Sequence, residues 1–341
     1  MTAGFSLQDP SVRNLFDYGL GGEIERYKCN GKKLQKGRLR MKHKKLVSMI
    51  GMLVLLFSTV ACSKNNKVAL SDALEKNDIA AVEKIFSTID EDSLNKLITE
   101  SSSSVGDFSY TLSKDETWLI ITDYNGPGGL VIIPPEIEGY PVKWIGKFVF
   151  KENDSIVSVI IPPTIEILGA QSFYNCDNLT SIFIPSSVSS IGEQAFFGCD
   201  SLSIVKIMPG VKKIGKQSFS RCNSLVNIVL PESIEKISTA AFAECENLLE
   251  VHLGDTIQEL GSEVFSKCKN LHTANIPKNI KNFGFRCFED CSELSNLKIP
   301  EEIKKLVDFE YNSSFEGCKK LPIAIRKRLK ELGYTGSHNT F

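Results

Sequence analysis

Histidine is scarce in this 341-residue chain: there are four, and beyond residue 61 only His252, His272 and His338 remain. None stands at a motif spacing from a nucleophile, a carboxylate or a second metal ligand, and no glycine-rich phosphate loop is present. Ten cysteines occur without a CxxC pair, so the convergent ligand sets of zinc sites are missing as well. The expected site list therefore contains no catalytic residue, no metal and no cofactor, and an enzyme is the weaker class. A basic excess is also lacking. Residues 62 to 341 carry 29 Lys+Arg against 37 Asp+Glu, a net charge of -8, which argues against nucleic acid as the partner. Finally, the apolar run Leu46 to Phe57 holds twelve residues, where a bilayer span needs ~20.

That short run has another use. The segment 41-MKHKKLVSMIGMLVLLFSTVAC-62 places Lys42, Lys44 and Lys45 before the apolar stretch and small residues after it, the pattern of a secretory signal peptide over 41–61. Ala61-Cys62 resembles a bacterial lipobox, although Thr59 stands where the strict motif has Leu. That resemblance implies that the Cys62 thiol is acylated and becomes the new N-terminus. The alternative is an ordinary cleavage after Ala61 with Cys62 there by chance. Residues 62–67 then form a polar tether. Because a signal peptide begins near a chain start, Met41 is the expected start, and 1–40 is set aside as an untranslated or non-structural extension.

A repeat of 23 residues dominates the C-terminal two thirds of the chain. IPPTI begins at Ile161, and IPSSV, IMPGV, LPESI, LGDTI, IPKNI and IPEEI follow at 184, 207, 230, 253, 276 and 299. A phenylalanine column runs Phe150, Phe173, Phe196, Phe219, Phe242, Phe265, Phe288 and Phe315; a cysteine stands three residues after each from Cys176 to Cys318, with Asn153 in the first copy. Leucine then recurs from Leu179 to Leu321. One unit cannot close a core, so eight copies over 133–325 must stack, each contributing an alternating strand such as Leu179 to Ile184 to a parallel sheet with rungs about 4.8 Å apart. Pro185 ends its strand, Gly192 reads as a tight or left-handed turn, and Ala195-Phe196 as a short helical turn that lays Phe on the core.

The consensus LxxIxIPxxVxxIGxxAFxxCxx resembles the BspA-like class of bacterial surface leucine-rich repeats. The resemblance covers 133–325 and implies a right-handed leucine-rich-repeat solenoid, with a parallel β-sheet on one face and short helical turns elsewhere. It also implies a binding scaffold on a secreted or surface-attached protein, in several cases one that adheres to host proteins or other bacteria. It implies no catalytic residues.

Both ends of such a stack need covers. Strands around tight turns over 107–132 form the N-terminal cap, and a helix over 322–333 with Ile325, Leu329 and Leu332 on one face, stopped by Gly333, closes the other end. Residues 68–100 carry Leu70, Leu74, Ala81, Val82, Ile85 and Phe86 at helical spacing and read as a helical hairpin.

Two sets of residues remain as site candidates. Side chains of the cysteine column point in parallel, one per rung, which suits small buried hydrophobes better than a ligand cluster; disulfides between rungs are the alternative. Outward strand positions on the sheet, expected to be concave, put apolar Ile160, Phe183, Ile204 and Val229 on neighbouring rungs beside Lys206 and His252. An exposed apolar patch usually marks a contact, although β-branched and aromatic residues also favour exposed strands. The insertion Asp308 to Asn312 is a second candidate. The expectation is a monomeric lipoprotein anchored at the outer membrane and cell surface through Cys62, binding a host matrix protein or another bacterial cell through Ile160, Phe183, Ile204, Lys206, Val229 and His252; a periplasm-facing scaffold without an external ligand is the alternative.

Overall fold

The structure, a computed structural model, describes residues 92, 98, 103–305 and 313–336. The chain divides into two units, 1–100 and 101–341. In the first, Asp92 and Ile98 are helical. The extension 1–40, the signal peptide 41–61, Cys62 and the tether 62–67, the rest of the hairpin 68–100 and the insertion Asp308 to Asn312 lie outside the described residues.

The second unit is a leucine-rich-repeat β-solenoid of about eight turns. Its longer strands form one eight-stranded parallel sheet in the order of the chain: Gly129–Ile132, Ile156–Ile160, Ser181–Ile184, Ile204–Ile207, Asn227–Val229, Glu250–His252, Thr273–Asn275 and Asn296–Lys298. The register repeats the sequence period, with Ile182 beside Val159 and Val205, and Val229 beside Lys206 and His252. Gly129–Ile132 is thus the first rung of this sheet, where the sequence suggested a part of the cap. Parallel pairing with Ile156–Ile160 decides its place.

A second sheet was not expected. The return segment around Ile191 forms two-residue strands that pair in parallel, Ile167–Leu168 with Ser190–Ile191, then Lys213–Ile214, Lys236–Ile237, Glu259–Leu260 and Asn282–Phe283. Tyr140–Ile145 and Leu119–Tyr124 begin it, and Phe108–Leu112 closes its end in antiparallel fashion. Gly192 serves this sheet by its lack of a side chain: a Cβ there would lie 2.5 Å from the Leu168 carbonyl oxygen. Close stacking of rungs, and no positive φ, is therefore what the glycine provides, contrary to the turn expected of it.

The third side of each turn is not helical either. Gln194 and Gly198 both have positive φ, 53° and 70°, and the residues between them are closed by turns, Phe197 N–H to Gln194 and Cys199 N–H to Phe196. Alternation into the left-handed region breaks any helical run and turns the N–H groups toward the next rung: Gln194 to Lys216, Phe196 to Ser218, Gly198 to Ser220. All three sides of the coil are therefore hydrogen-bonded from rung to rung.

The core is one continuous cluster of the repeat's apolar columns. Phe150, Phe173, Phe196, Phe219, Phe242, Phe265, Phe288 and Phe315 stack with ring centroids 4.8 to 5.5 Å apart. Tyrosines terminate the column. Tyr124 packs on Phe150, and its hydroxyl accepts from Gly128 N–H; Tyr334 meets Phe315 edge-on, and its hydroxyl accepts from Phe315 N–H. A phenol suits such an end because its ring continues the apolar stack while its oxygen satisfies backbone. The C-terminal helix, Ile323–Glu331, buries Leu329 fully and packs Ile325 against the core; its C-cap Leu332 is also buried, and Gly333 at φ 98° follows.

Candidate functional site on the outer face of the long-strand sheet

Alternation along each long strand sends one set of side chains into the core and the other outward. The parallel register then lines the outward set into two columns. One runs Ser158, Ser181, Ile204, Asn227, Glu250, Thr273, Asn296; the other runs Ile160, Phe183, Lys206, Val229, His252, Asn275, Lys298.

All six sequence-predicted residues lie on this face, yet they do not form one exposed patch. Ile160, Phe183 and Ile204 are 0%, 1% and 8% exposed, whereas Val229, one rung further, is 78% exposed. Ser158 and Ser181 are buried with them and share a hydrogen bond of 2.8 Å between hydroxyls. Lys206 stands at the boundary, its ammonium 5.6 Å from the centre of the Phe183 ring. Beyond it the face opens: Asn227, Glu250, His252, Asn296 and Lys298 are exposed, and His252 Nε2 lies 2.9 Å from Glu250 Oε1. The expectation of an open apolar patch over Ile160, Phe183 and Ile204 is thus corrected. Alternation tells which face a residue occupies but not whether that face is open. The change from Ile and Phe to Asn, Glu and Lys coincides with the change in exposure.

The cysteine column is built for packing. All eight described cysteines are buried free thiols. In the column each Sγ donates to the carbonyl of the phenylalanine one rung back, Cys176 to Phe150 at 2.8 Å, Cys199 to Phe173 at 3.1 Å and so on to Cys318 and Phe288 at 3.0 Å. Burial disfavours the thiolate and pushes Cys245 and Cys318 up to about 12, and Cys199, Cys222, Cys268 and Cys291 well above the usual range. Cys287 takes the adjacent alanine column, with Sγ donating to Gly261 and Gly284 carbonyls, and is also pushed up to about 12.

The remaining surface brings no reactive groups together among the described residues. His272 Nδ1 lies 2.5 Å from the Asn270 carbonyl and its Nε2 3.7 Å from Glu293. A shallow groove of 560 Å³ is lined by Glu235, Asp255, Gln258 and Lys278, but Asp255 accepts from Lys278 N–H and the Lys278 ammonium pairs with Glu302. A surface aromatic pair was not anticipated from the sequence: Tyr174 and Phe197, each following its core phenylalanine by one residue, stack at 5.1 Å between Lys151 and Arg221, which lie over their outer faces. The 23-residue spacing of two extra aromatics was the available signal. Among the described residues no helix is long and apolar enough to cross a membrane, and no group of three His, Cys, Asp or Glu residues could hold a metal ion.

Comparison with known proteins places these features in a wider set. A family model described as BspA type leucine rich repeat region matches residues 143–259 and 212–336. Among solved structures, a leucine rich repeat protein of T. pallidum is 30% identical, with 69% of this chain and 98% of that one covered and a TM-score of 0.54. A leucine rich cell surface protein of Faecalibacterium prausnitzii A2-165 is 23% identical, with coverages of 65% and 81% and a TM-score of 0.40. Comparison with curated proteins returns no match.

Proposed function

Since the chain belongs to the BspA-type leucine-rich repeat family, we propose that it is a protein-binding module whose contact surface is the open half of the long-strand sheet, centred on Lys206, Val229 and His252. The observation that carries this reading is the step in exposure along one column of the sheet: Phe183 is 1% exposed and Val229, two rungs on, 78%. A large apolar side chain standing in solvent among Asn227, Glu250 and His252 matches the anatomy of protein contacts, an apolar anchor within a polar rim. Exposed sheet faces of repeat proteins serve partners in this way because the scaffold is rigid and the columns are freely variable. Rung-to-rung ion pairs such as Lys236–Glu259 and Arg221–Glu244 on the rest of the described surface suit a scaffold.

The partner we infer is a host matrix protein or the surface of another bacterial cell, with the module held at the bacterial surface by acylated Cys62. Support for the anchor is the basic, apolar and small-residue order of 41–62. Val229→Glu combined with His252→Glu tests the contact surface: binding of mature residues 62–341 to the partner is expected to fall at least tenfold, and unchanged binding would sink the assigned face. Cys62→Ala tests the anchor, with the protein expected to move from the membrane to the soluble fraction; a variant that stays membrane-bound would count against acylation.

A further inference from the structure

We draw no further inference here: the strongest candidate, the apolar first half of the long-strand sheet's outer face at Ile160, Phe183 and Ile204, is buried, and nothing among the described residues shows what covers it.

Discussion

At the scale of single residues, the repeat is held by side chains whose polarity the sequence displays but whose partners it does not. The column before the phenylalanines alternates Ser172, Ala195, Ser218 and Ala241, all fully buried. The hydroxyls of Ser172 and Ser218 have no hydrogen-bond partner. A buried orphan hydroxyl costs on the order of 1–3 kcal/mol, and the neighbouring alanines show that a methyl fits the site. Ser218→Ala is therefore expected to stabilise the protein by about 1 kcal/mol, read as a higher urea midpoint at unchanged slope. The thiols carry a second expectation. Folded Cys245, Cys287 and Cys318 titrate at about 12 against 9.0 when unperturbed, so the folded state holds protons that the unfolded state gives up. Their contribution is complete below pH 9 and is lost as pH rises toward 12. Stability should accordingly fall across that alkaline window, and iodoacetamide at about pH 8, below the ordinary thiol range, should label none of the column cysteines until denaturant is added. Labelling of any column cysteine in the native protein would contradict the burial of the column. Cysteine as a small hydrophobe was legible from its periodic parallel placement; its bond to the preceding rung's phenylalanine carbonyl was not, because that contact joins residues 26 positions apart.

At the scale of the element, the unit that matters is the rung and its fit to the next. Glycine positions record how closely the backbones approach. Gly210 has φ 141°, a region that residues with a Cβ rarely enter, and an added Cβ would fall on the Ser186 carbonyl of the rung before. Gly210→Ala is expected to destabilise by roughly 2–4 kcal/mol, from strain and forced separation of two rungs. An unchanged thermal melt would show that the rungs are packed more loosely than this close approach requires. Cross-rung ion pairs add less. Lys143–Glu166 at 2.8 Å, Arg221–Glu244 at 3.0 Å and Lys269–Glu246 at 2.6 Å are exposed or half-exposed, and such pairs contribute about 0–1 kcal/mol each. Strand, proline stop, core columns and the C-terminal helix were legible because each follows from a short strand or helix period or from the 23-residue repeat. The second sheet was not, since a two-residue strand such as Ser190–Ile191 is too short to show alternation. Nor was the absence of a helical turn, which depends on non-glycine residues such as Gln171, Gln194 and Gln217 adopting positive φ in register.

At the scale of the whole solenoid, stacking makes stability a sum over neighbouring interfaces and leaves the outward columns free to carry recognition. The sequence period gives the register of the outward columns, yet the sequence misjudged which part of that face is open. Ile160, Phe183 and Ile204 look like Val229 in any alternating pattern, yet they are buried and Val229 is exposed. The contact surface proposed above is therefore the open half. Its most direct test is equilibrium binding of residues 62–341 to immobilised fibronectin, laminin and collagen and to intact bacterial cells. Wild type is compared with Val229→Glu/His252→Glu and with Lys236→Glu on the opposite, short-strand sheet. All altered side chains are exposed, so the three proteins should melt alike. Saturable binding by wild type and Lys236→Glu to at least one of these targets, weakened at least tenfold in the double variant, is the predicted result; equal binding by all three proteins, or binding to none of the targets, would contradict it.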